Sequence, residues 1–114
     1  MRKTPEMVMA EIVKTFSHLE MELTESELLH HYEILSSRYC NGDEVKGECV
    51  LENLIRANYV EKNGETLILT RNGKRMCKEC FKYEEERKFE KELKRIANIQ
   101  EPSLIERIKQ YLKS

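Results

Sequence analysis

The pair Asn63-Gly64 constrains this chain more than any other feature. It stands between two short apolar runs, Tyr59-Val60 and Leu67-Ile68-Leu69. Asn-Gly is the favoured pair for a two-residue type I′ turn, whose twist matches the strands it joins. The sequence therefore predicts a hairpin with Asn63-Gly64 at its tip and strands over about 59–62 and 65–70. Alternation sends Leu67 and Leu69 toward a core and Thr66, Ile68 and Thr70 the other way. An outward Ile68 implies that something else covers that face. A lone hairpin is marginal in water, so it must pack on the segments around it, and those read as helices.

Thr4-Pro5-Glu6 is a helix start: a capping hydroxyl, a proline suited to the first helical position and an acid at the positive helix end. Val8, Met9, Ile12, Val13, Phe16 and Leu19 then recur at helical spacing, which predicts a helix to about His18. Glu20 to Thr24 alternates polar and apolar, as a short strand would. Thr24 with Glu27 forms a capping box for a second helix whose buried stripe is Leu28, Leu29, Tyr32 and Leu35. It should end near Ser37, before the turn signal Asn41-Gly42. A third helix is expected from about Asp43 to Ala57. Gly47, Val50, Leu51, Leu54, Ile55 and Ala57 form its inner face, Arg56, Cys49 and Glu52 its outer one, with Asn53, Lys46 and Glu48 at the borders.

After Thr70 the pattern is helical again. Met76, Cys77, Cys80 and Phe81 make one apolar patch and Phe89, Leu93 and Ile96 a second, with a polar run between. Read as one continuous helix to Asn98, this segment would be about 40 Å long, more than one small core covers. Pro102 starts a last helix with the stripe Leu104, Ile105, Ile108, Tyr111 and Leu112. The expected fold class is mainly α with a small β-hairpin.

Charge is uneven. Residues 1–70 hold 7 Lys and Arg against 13 Asp and Glu, whereas residues 71–114 hold 13 against 8. Any anion-binding surface leans on the second group or on local patches.

The order helix, short strand, helix, helix, hairpin, long helix resembles a winged helix-turn-helix domain. The stretch Leu54-Ile55-Arg56-Ala57-Asn58-Tyr59-Val60, then Asn63-Gly64, then Leu69-Thr70-Arg71-Asn72-Gly73-Lys74, is similar to MarR- and PadR-like regulators. The resemblance spans about residues 4–80. Asn58 stands where glycine is common, which its tolerance of left-handed backbone permits. On this resemblance residues 1–76 are a winged-helix domain and 77–114 a C-terminal helical dimerisation segment.

The resemblance implies a homodimeric, sequence-specific regulator that binds double-stranded DNA and works by occupying a promoter. The third helix would enter the major groove, where Arg56 suits guanine and Asn53 adenine. Lys46, Lys62, Arg71 and Lys74 would hold phosphates, with Arg38 and Arg75 extending the track. Phe89, Leu93 and Ile96 would cross to a partner copy; the other reading is that residues 98–114 fold back over Phe89 and Leu93 within one chain. Glu48 and Glu52, among the cations, oppose phosphate contact, so a winged module that docks on a protein is the alternative function.

Four cysteines, Cys40, Cys49, Cys77 and Cys80, match the ligand count of a structural zinc site, but only Cys77 and Cys80 have familiar spacing. Zinc, a disulfide and buried thiols all remain open. The thiol reading leads, because Cys77 and Cys80 share an apolar helical face with Phe81. No cofactor is then expected. His18, His30 and His31 are expected at surface or boundary positions; His30 and His31, about 100° apart on a helix, cannot clasp one metal together. No phosphate-binding glycine loop, Gly-x-Ser-x-Gly or His-Glu-x-x-His is present, so enzymatic activity is not expected. No run of ~18 apolar residues occurs and the first residues make a poor signal peptide, so a cytoplasmic protein without membrane contact is expected.

Overall fold

The structure, a computed structural model, describes residues 3–40 and 45–99. The turn at Asn41-Gly42, the cap at Asp43 and the stripe from Leu104 to Leu112 lie outside the described residues. The elements run α1 Pro5–His18, α2 Glu25–Tyr39, α3 Gly47–Arg56, β1 Val60–Asn63, β2 Thr66–Leu69, α4 Arg71–Cys80 and α5 Tyr83–Ile96. The molecule is thus mainly helical, with a small two-stranded antiparallel hairpin.

The local start signals act as their chemistry requires. Thr4 accepts a hydrogen bond from the Met7 amide at the head of α1, with Pro5 in its first turn. Thr24 and Glu27 complete a reciprocal capping box on α2. Thr70 caps α4 by accepting from the Gly73 amide, while its hydroxyl donates to the Asn58 carbonyl. Asn58 carries the left-handed backbone expected of it, at φ +63°.

Helix α1 is the centre of the molecule. Val8 through Val13, Thr15 and Phe16 are all buried, Glu11 included, and α2, α3, α4 and β2 pack around it. A helix enclosed on nearly every side needs apolar residues nearly all round, and α1 supplies them.

The hairpin forms, but its tip lies one residue later than the Asn63-Gly64 pair suggests. Val60 pairs with Leu69 and Asn63 with Thr66, leaving Gly64-Glu65 as the turn. Gly64 has φ +67° and Glu65 does not share the left-handed region. A left-handed glycine in the first turn position suits a type II′ turn, the other two-residue hairpin solution. Asn63 joins the ladder in place of Tyr59, and because the register moves by two residues the second strand's facing is unchanged. Leu67 and Leu69 are buried and Ile68 is 41% exposed, with no cover from the described residues. The strand expected at 20–24 contracts to a single bridge, Thr24 with Thr66, beside a Leu67 amide to Leu23 carbonyl bond.

Two further expectations need correction. The helix after the hairpin is not continuous: Phe81 is extended (φ −120°, ψ 123°) and separates α4 from α5. A straight rod would carry Phe89 and Leu93 into water. The break instead folds α5 onto α2, where Phe89 meets Tyr39 and Phe81 at ring-centroid distances of 5.3 and 5.4 Å. Lys3 closes the corner. Its buried ammonium donates to the Cys80 carbonyl at 2.6 Å, pairs with Glu85 at 3.0 Å and lies 4.7 Å from the centre of the Phe81 ring.

The second correction follows from the first. Phe89 and Leu93 are wholly enclosed by their own chain, so neither is free to form a seam with a partner copy. The core runs without interruption from α1 through Cys77 and Phe81 to these two residues. Ile96 is half-buried and, with Phe16, Met21 and Ile99, borders an open groove of about 340 Å³. No helix among the described residues is long and apolar enough to cross a membrane.

Candidate nucleic-acid interface

Helix α3 lies on the surface by one side only. Val50, Leu51 and Leu54 are buried against the rest of the molecule, while Glu48, Cys49, Glu52, Asn53 and Arg56 are exposed. Ile55 and Ala57, expected on the inner face, are exposed as well. They lie at the last turn, where the helix ends and the chain leaves for β1. The N-cap residue Lys46 offers no side-chain hydrogen bond to the helix start.

All six residues expected to meet DNA are solvent-exposed: Lys46, Asn53, Arg56, Lys62, Arg71 and Lys74. Their electrostatic states differ. Arg56 is engaged by Glu52 one turn earlier, at 2.5 Å, and Lys62 pairs with Glu25 at 3.3 Å. Arg38 pairs with Glu92 at 3.4 Å. Lys46, Arg71, Lys74 and Arg75 make no ion pair among the described residues. Arg71, Lys74, Arg75 and Lys78 recur at helical spacing within about 100° of arc and all face solvent.

Position is set by close packing where the hairpin meets α4. Gly73 is buried, and a β-carbon there would collide with the Tyr59 carbonyl and the Leu69 side chain. The glycine lets α4 begin against the hairpin, which holds Arg71 and Lys74 beside β2. This gives a physical reason for Thr70 and Gly73 at their spacing: one caps the helix and the other admits the close approach.

The cysteines are separate. Cys40 and Cys77 are buried, Cys80 is half-buried and Cys49 is exposed on α3. Among the described residues no three His, Cys, Asp or Glu are placed to hold a metal ion. The core-thiol reading therefore describes Cys40 and Cys77 and fails for Cys49. His31 is also corrected: it is buried and stacks on Phe16 at 5.7 Å. Burial, and then the neighbouring His30, hold its pKa below the usual value against the opposing charge of Glu27.

A polar cluster that periodicity did not reveal lies between α1, α4 and α5. Glu11 is buried, with Oε2 unpartnered. Burial pushes its pKa up to about 7, reinforced by Glu86 and opposed by Lys14 and by the Cys77 thiol, which donates to it. Burial and the Glu11 charge push the Cys77 thiol up as well, so it is no nucleophile. Lys14 sits 3.5 Å from Glu11 and 2.7 Å from Glu86. Burial disfavours its ammonium, but the Glu86 hydrogen bond and the two carboxylates outweigh that and raise its pKa.

The chain matches no protein-family model, no curated protein and no solved structure.

Proposed function

We propose that the protein is a sequence-specific duplex-DNA-binding regulator of the winged helix-turn-helix type, a binding protein and not an enzyme. One observation carries this reading: a short helix buried along one side presents Lys46, Asn53 and Arg56 to solvent and is followed directly by a hairpin and a capped basic helix. Asn53 and Arg56 are the side chains with base-reading chemistry, and Lys46, Lys62, Arg71 and Lys74 would hold the backbone. A homodimer reading two half-sites remains part of the proposal, with its seam away from Phe89 and Leu93.

A second reading has its own support. The α3 surface pairs Arg56 with Glu52 and exposes Ile55, and the hairpin exposes Ile68. Such a surface also suits docking on a protein. Salt separates the two, because DNA affinity falls steeply as counterions are released. Arg56→Ala and Lys46→Ala should each weaken retention of labelled genomic fragments at low salt, with Arg56→Ala costing about 1 to 3 kcal/mol at its cognate site. If parent and variants retain equally negligible amounts, the docking reading stands instead.

A further inference from the structure

Helix α5 carries a charge arrangement that its composition hides. At about 100° per residue, Phe89, Leu93 and Ile96 form its inner stripe. Glu85 and Glu92 flank that stripe on one side, and Glu86 and Glu90 on the other. Each of the four is half-buried and held in an ion pair, with Lys3, Arg38, Lys14 and Lys94 respectively. Three of these carboxylates fasten the helix to the rest of the molecule, and Glu90 pairs with Lys94 one turn further along α5 itself.

What remains outside is cationic. Arg87, Lys88, Lys91 and Arg95 are exposed within about 100° of arc and make no ion pair among the described residues. Glu84 is the one carboxylate on that arc. Tyr83, at the edge of the arc, is 72% exposed, with the Arg87 guanidinium 5.6 Å from its ring centre. From Arg87 to Arg95 the row is about 12 Å long, the length over which one DNA strand carries three to four phosphates.

We propose that the outer face of α5 is a second nucleic-acid-binding surface, a phosphate-binding strip of Arg87, Lys88, Lys91 and Arg95 that grips the backbone of a DNA duplex without reading its bases. Charge complementarity selects the ligand. A lipid surface calls for an apolar helical face to enter the interface, and the apolar face of α5 is spent in the core. An acidic protein partner calls for a central apolar anchor, and the strip has only Tyr83 at its margin. One aromatic ring is too few for the stacking row that single strands use.

The strip is independent of base recognition by α3, and the test separates them. The probe is a labelled random-sequence DNA duplex followed by fluorescence anisotropy across a salt series. In the triple variant Lys88→Gln, Lys91→Gln, Arg95→Gln, affinity at low salt should fall by about tenfold or more, and the slope of log affinity against log salt should drop by about 3. Glutamine keeps helix propensity, so circular dichroism and melting should match the parent. Loss in the triple variant supports the strip, and Arg56→Ala, whose effect is read at a cognate site, should leave binding to this random-sequence probe nearly unchanged. The same affinity and slope in parent and triple variant overturns the strip and leaves α3 untouched. Binding of the parent to phosphatidylserine vesicles or polyglutamate, but not to the duplex, overturns the nucleic-acid assignment.

Discussion

Glu11 shows how one buried side chain ties stability to pH. Its folded pKa is raised to about 7 from 4.5, chiefly by burial. The neutral acid therefore favours the folded state. Its contribution is complete below pH 4.5 and is lost as pH rises through about 7, a swing on the order of 3 kcal/mol. His31, whose pKa burial lowers, acts in the opposite sense, since stability falls when acid forces its protonation. Glu11→Gln isolates the first effect. Denaturant melts at pH 5 and pH 8 should show the variant gaining stability relative to the parent at the higher pH; an unchanged difference between the two would remove the role assigned to Glu11. Lys3 is the second residue with long reach. Lys3→Met keeps the packing but leaves the Cys80 carbonyl at the end of α4 without its donor and Glu85 without its cation. A loss of about 1 to 3 kcal/mol is expected by chemical denaturation.

The decisive event at the level of elements is the break at Phe81. Without it α4 and α5 would be one rod; with it α5 returns to α2 and two aromatic rings are buried. Phe81→Ala removes the ring that meets Phe89 and carries the Lys3 ammonium. It should cost about 3 to 5 kcal/mol, with amide hydrogen exchange in 83–96 rising more than in α1. Uniform acceleration across all helices would mean that α5 is not a separately anchored element. The hairpin depends in the same way on Gly73, because the collision with the Tyr59 carbonyl bears on backbone that cannot move aside cheaply. Gly73→Ala is expected to lower the melting temperature even though alanine is the better helix former.

For the whole molecule, burying Phe89 and Leu93 inside one chain separates folding from association. Leu93→Ala should lower stability by about 2 to 5 kcal/mol while the still-folded protein sediments as the parent does. Slower sedimentation of the variant would put Leu93 at a seam between copies after all. The same packing makes charge directional. The net excess of cations after residue 70 is visible in the sequence, but only the folded chain turns α5 carboxylates toward Lys3, Lys14 and Arg38 and leaves the cations outward.

Local chemistry was readable because it acts within a turn or two. Thr4-Pro5, Thr24 with Glu27, and Thr70 start their helices, and the alternation at Leu67 and Leu69 sets the inner face of the hairpin, since each signal depends on residues three or fewer positions apart. The exposed sides of Lys46, Asn53 and Arg56 followed from the same periodicity. The halt at Phe81, the enclosure of Phe89 and the cluster around Glu11 were decided by contacts such as Lys3 with Cys80, 77 positions apart, and Lys14 with Glu86, 72 apart. Periodicity says which face of a helix is apolar; it does not say what that face will meet. Only tertiary packing brings the partner, because burial is a property of the surface that two distant segments share.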